Sequence, residues 1–110
     1  MSGVLLVLSR CTDPAREDAW RSWYDRVHLP HVLENGTPGL DSAQRYENPK
    51  PGKDNVRSAA GYELSQEPTE VFDRMHEQMK RRREEGSTYT IDCLEVVSIQ
   101  TYRKLSRGEV

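Results

Sequence analysis

Apolar and polar positions alternate along this chain in blocks that predict four strands and two helices. Gly3 to Ser9 is a short run rich in Val and Leu, closed by Arg10 and the turn-forming Thr12-Asp13-Pro14, and it reads as a buried strand. Its unbroken hydrophobicity predicts cover on both faces. From Ala15 to about Val27 the residues Ala19, Trp20, Trp23, Tyr24 and Val27 recur at helical spacing, with Thr12 or Asp13 as N-cap and Pro14 in the first turn. Pro30 lacks an amide donor and disfavours an α conformation at Leu29, so this helix is expected to break there. His31 to Glu34 adds one more turn before Asn35-Gly36 and Pro38-Gly39. Leu40 to Glu47 and Val56 to Leu64 read as strands joined by a polar loop holding Pro49 and Pro51. Pro68 to Glu85 is the second helix, with Val71, Phe72, Met75 and Met79 as its buried stripe and Gly86 as its stop. Asp92 to Arg103 is the last strand, and the tail from Leu105 is expected to be loose.

The order strand, helix, strand, strand, helix, strand is that of the ferredoxin-like split β-α-β unit, an α+β sandwich with a four-stranded antiparallel sheet. Two helices cover one face of such a sheet. The other face must meet solvent or a second subunit, and its apolar strand residues argue for a homodimer whose sheets pack together and enclose a cavity.

Composition narrows the picture. The chain has 110 residues, the size of a single domain over 1–110, and only 35% of them are hydrophobic, so its core is thin or completed by a partner. A formal charge of −2 gives no reason to expect nucleic acid or an anionic membrane as partner. The Lys80-Arg81-Arg82-Arg83 run has no interleaved aromatic residues and reads as a solvated helix end. The N-terminus lacks the basic and apolar regions of a signal peptide, and no stretch is long enough to cross a bilayer, so the expected address is cytoplasmic. Cys11 and Cys93, the only cysteines, are then expected to be free thiols, at neighbouring ends of the first and last strands.

His28 is the leading candidate for chemistry. It sits at the end of a helix just before a proline, where it can project beside the sheet, and an imidazole both takes and gives protons near neutrality. Asp25, three residues earlier, is placed to orient the ring as a second catalytic group. The plain alternative is that His28 caps the helix carbonyls. His31 makes a His-x-x-His pair with it, but Pro30 between them spoils the single helical face that a metal site needs, so no metal is expected and His31 is placed at the pocket mouth or surface. Trp23 and Tyr24 belong to an aromatic group that serves the core or the pocket wall, and Tyr24 shares a helical face with His28. Alternation sends Arg45 and Tyr46 to opposite faces, and likewise Tyr62 and Glu63, so one of each pair looks inward. Arg45, Tyr46 and Tyr62 are therefore candidate substrate contacts, Tyr62 foremost because Ala60 and Ser58 leave room beside it. His76 flanks the buried stripe as a boundary residue.

The segment Trp23-Tyr24-Asp25-Arg26-Val27-His28-Leu29-Pro30, followed by Thr37-Pro38-Gly39-Leu40, resembles the signature of EthD-like members of the dimeric α/β-barrel superfamily. The likeness covers nearly the whole chain in element order and specific residues from about Trp20 to Tyr46. Proteins of that architecture include polyketide cyclases, small-lactone isomerases, cofactor-independent monooxygenases and haem-degrading enzymes. The resemblance implies a pocket without choosing its chemistry. The expected function is acid/base catalysis without a cofactor, such as cyclisation, isomerisation or dehydration, on a small hydrophobic carbonyl or polyphenolic substrate. His28 is the general acid or base. The alternatives are a cofactor-independent monooxygenase acting on a phenol, a non-catalytic small-molecule-binding accessory protein and, further off, a haem-binding protein.

Overall fold

The computed structural model describes residues 2–34, 36–86, 91–106 and 108. Strands β1 (Gly3–Cys11), β2 (Leu40–Glu47), β3 (Ser58–Leu64) and β4 (Leu94–Arg103) form one antiparallel sheet in the order β2-β3-β1-β4. This is the ferredoxin-like topology that the element order predicts. Asp13 caps the first helical segment by accepting from the Ala15 amide at 3.0 Å, with Pro14 in its first turn. Helix α1 (Glu17–Trp23) follows, and α3 (Pro68–Glu84) crosses the same face of the sheet.

The first helix does not break at Pro30. It widens into a π-helical turn, Tyr24–His28, and continues as α2 (Leu29–Glu34). The Leu29 amide bonds back to the Tyr24 carbonyl, five residues earlier. In α winding, the Pro30 ring would press on the Arg26 carbonyl four residues back. Widening the turn ahead of the proline relieves that clash and lets the helix run on, which is why the proline rule misplaced its end. Of the stop signals beyond it, Asn35 lies outside the described residues, and Gly36 has a positive φ of 64°.

Leu5, Ala60, Tyr62 and Leu64 of the sheet pack with Trp20 and Tyr24 from the first helical segment and Val71 from α3 to form the core. Gly39 turns the chain into β2 at φ 91°, and a Cβ there would lie 2.7 Å from Val71 Cγ2. The turn therefore needs glycine both for its backbone and for its approach to α3.

The expected cover on both faces of β1 is found on one only. Leu5, Ser9 and Cys11 are buried under the helices, whereas Val4, Leu6 and Leu8 on the opposite face are half-buried. On the same face Tyr46 of β2 and Val97 and Tyr102 of β4 are exposed. The boundaries shift modestly from expectation: β1 extends to Cys11, β3 starts at Ser58 and β4 starts at Leu94.

Candidate active site

A cavity of about 210 Å³ lies between the sheet and the helices. The strands contribute Leu5, Val7, Tyr62, Leu94, Val96 and Ile99. The first helical segment contributes Tyr24, His28 and Val32, and α3 contributes Phe72, Met75, His76 and Met79. The hollow forms within one chain on the helical side of the sheet. That corrects the expectation that a twin molecule across the bare face shapes it: two helices set apart on one face already leave room between them.

The π turn aims His28. Bonds that span five residues bring residue 23 over residue 28, and the imidazole stacks on the Trp23 indole with centroids 4.8 Å apart and planes 21° apart. Tyr24 meets the same ring edge-on at 5.1 Å. Burial drives the His28 pKa down to about 4, helped by the like charge of His31. The ring is therefore neutral at physiological pH, able to accept a proton and not carrying one to give. Burial pushes the Tyr24 phenol up, against the opposing influence of the nearby Ser9 hydroxyl, the Arg45 charge and the Tyr62 hydroxyl. Burial raises Tyr62 further, and the adjacent Tyr24 adds to it. Two neutral phenols and a neutral imidazole thus face a chamber whose other walls are apolar except at His76.

Asp25 does not orient His28. Its carboxylate grips Arg45 in a bidentate pair, Nε to Oδ1 at 2.5 Å and Nη2 to Oδ2 at 2.9 Å. The planar guanidinium matches both oxygens, a fit that an imidazole with one facing nitrogen does not offer. Arg45 holds the Asp25 carboxyl below the usual range. The guanidinium carbon also lies 5.9 Å from the Trp20 ring centroid and 5.6 Å from that of Tyr24. Arg45 faces the helices as one of the two alternation choices allowed, but it braces the aromatic group and does not line the cavity.

Tyr46, its neighbour, lies on the bare face and is 61% exposed, so it is out of reach of the cavity; the strand's alternation fixes this once Arg45 points inward. Trp23 backs the imidazole instead of lining the chamber. His31 is buried in α2, not placed at the mouth or surface, because the helix continues past Pro30 and turns it inward. Tyr62 and Tyr24 do line the cavity.

His76 is exposed, as a boundary residue is expected to be, and it also lines the chamber, one turn after Phe72 with ring centroids 6.3 Å apart. Phe72, Met75 and Met79 have the spacing of a core stripe, and at helical spacing a cavity wall and a core look alike. Among the described residues no group of three or more His, Cys, Asp or Glu is placed to hold a metal ion. Among the same residues no helix is long and apolar enough to cross a membrane.

Fold and cavity together define a small α+β pocket protein with ferredoxin-like topology. No family model and no curated protein matches the chain. Among solved structures it is similar to HapK from Hahella chejuensis, with a TM-score of 0.63 and 13% identity over 98% of this chain and 97% of that one. It is also similar to a candidate monooxygenase from Shewanella loihica PV-4, with a TM-score of 0.60 and 18% identity over 97% of this chain and 99% of that one. At such identities the likeness carries the ferredoxin-like fold alone. It does not single out the EthD-like branch.

Proposed function

We propose that the cavity is a catalytic pocket in which His28 takes a proton from a small, flat, largely apolar substrate bearing one acidic hydroxyl or an acidic C–H beside a carbonyl. The observation that carries this reading is the His28 imidazole, held flat against Trp23 and lining a largely apolar chamber beside the Tyr24 and Tyr62 phenols, where burial lowers its pKa to about 4. Removing the proton leaves an enolate or phenolate. A phenol O–H that stays protonated donates to such an oxygen, and the imidazolium formed beside it supplies the opposite charge. The buried ring is a weak base alone, and the anion appearing next to it strengthens it as the proton moves. His28 then returns the proton elsewhere on the substrate, which completes an isomerisation, a cyclisation or a dehydration.

The volume bounds the ligand. An apolar cavity of about 150 Å³ holds benzene and drug-sized sites begin near 300 Å³, so about 210 Å³ suits one or two rings. Quenching of tryptophan fluorescence tests this: naphthol is expected to bind about tenfold more tightly than naphthalene, the worth of a net hydrogen bond. Equal affinities, or no saturable binding of either, would remove the polar end of the chamber from the argument.

A second reading follows from the same proton transfer. A phenolate made at His28 is electron-rich enough to react with dioxygen, and one structural neighbour is described as a candidate monooxygenase. Oxygen uptake coupled to phenol loss would select it. A chamber that binds naphthol, but shows no turnover in the native protein or in a His28 variant, would make the protein a small-molecule-binding accessory.

The bare sheet face is, on this proposal, the seat of a second copy. Val4, Leu6, Leu8, Tyr46, Val97 and Tyr102 leave more apolar surface uncovered there than a chain with so thin a core can readily spare. A depression of about 610 Å³ lined by Leu8, Tyr46 and Val97 adds shape for a partner to fill. Light scattering is expected to give twice the chain mass at micromolar concentration, and a monomer there would refute the pairing.

A further inference from the structure

Cys11 and Cys93 meet in the interior at the far end of the first and last strands. Both are free thiols, 5% and 3% exposed, in the same core cluster. Cys11 is the last residue of β1, and its ladder partner on β4 is Leu94, immediately after Cys93. The ladder continues one step past that pair, because the Thr12 amide donates to the Cys93 carbonyl at 2.8 Å and the Thr12 hydroxyl to the same oxygen at 3.3 Å. A regular strand would send Cys93 to the opposite face, but it precedes β4 in a turn and its side chain comes in beside Cys11. The Cys93 sulfur lies within hydrogen-bonding reach of the Cys11 sulfur, and burial, with that neighbour adding to it, raises the Cys11 thiol. Cys93 is one residue off the ladder partner of Cys11, and with strands about 4.8 Å apart and a rise of about 3.4 Å per residue such a diagonal sets the Cα atoms roughly 6 Å apart, within the span of about 4.4–6.8 Å that a disulfide bridges.

We propose that Cys11 and Cys93 are a modification site: under a hydroperoxide oxidant they close into an intramolecular disulfide that staples β1 to the start of β4. One thiol sulfur attacks the peroxide, the O–O bond breaks, and a sulfenic acid and an alcohol (or water) result. The other thiol sulfur then displaces the sulfenic oxygen, which leaves as water with the second thiol proton. In sum, two thiols and one hydroperoxide give one disulfide, one alcohol and one water. The buried, raised thiol makes the first step slow. Once a sulfenic acid forms, the neighbouring sulfur is already in place to capture it before further oxidation. The staple would fix the strand end that carries Leu94, a residue of the chamber wall.

The test uses the intact, reduced protein with excess hydrogen peroxide at neutral pH, stopped with catalase and analysed without reductant. The expected result is a chain lighter by two hydrogens and not covalently joined to another, with both thiols lost to titration in denaturant and one cross-linked peptide pair holding Cys11 and Cys93. Closing so long a loop is expected to lower the unfolding equilibrium constant by on the order of a thousandfold. Cys93→Ser should abolish the linked peptide, and the native chain alone decides the matter if that variant does not fold. Two thiols still titratable after peroxide treatment, linkage only between chains, or oxidation only to sulfinic acid would each overturn the proposal. So would closure that needs denaturant.

Discussion

Replacing His28 by Ala is expected to slow the proton transfer by about a hundredfold to ten-thousandfold, the usual worth of a positioned general base. The cleanest readout is exchange of an acidic C–H of a bound carbonyl compound for solvent deuterium, followed by NMR, because it registers deprotonation whatever the later steps are. Ligand affinity should change little, since the chamber walls that supply apolar contact are other residues. In the native protein the dependence of kcat/KM on pH should be flat through neutrality and fall only as pH drops through about 4, where the imidazole takes a proton from water. Unchanged exchange in the variant, or a native profile that falls already near pH 6.5, would take the base away from His28.

The second large effect concerns stability in acid. His28 titrates at about 4 when folded and near the ordinary value of 6.5 when the chain unfolds and the ring is hydrated. Between these values the unfolded chain binds a proton that the folded one refuses. Stability is therefore complete above about pH 6.5 and is lost as pH falls towards 4, by about 3 kcal/mol in all. Asp25 and Glu47 are held low by Arg45 and Arg21, and lose their contribution further down, within and below the carboxylate range. Urea denaturation at pH 7 and pH 4.5 separates the two groups. Native protein should lose about 2–3 kcal/mol over that interval and His28→Leu much less; parallel losses in both would mean that the imidazole is not buried as described.

Much of the architecture was legible because it rests on periodicity. The alternation in β2 and the stripe on α3 marked elements that the structure contains, and the count of two helices against four strands foretold a bare face. The proline was misleading for a physical reason: its rule describes α winding, and a wider turn satisfies the same steric demand without ending the helix. The consequences spread, since it is the continued helix that buries His31. Asp25 shows another limit. Separation of three residues brought it near His28 on paper, but its partner came from β2, across a distance that only the folded sheet closes. His76 and the methionines of α3 were visible as an amphipathic face. Whether such a face packs solidly or leaves a hollow depends on how far the helix stands from the strands, a quantity with no trace in the spacing of residues.

The wide turn at Tyr24–His28 has one consequence for anyone redesigning this protein. It inserts one residue more than the surrounding winding requires, so everything after it is rotated by about one position, roughly 100°, relative to an uninterrupted helix. The direction of the imidazole is thus a property of backbone phase as much as of the choice of residue at position 28. Deleting a single residue between Tyr24 and His28 would leave every ring in the alphabet of the site present, yet point the base somewhere else.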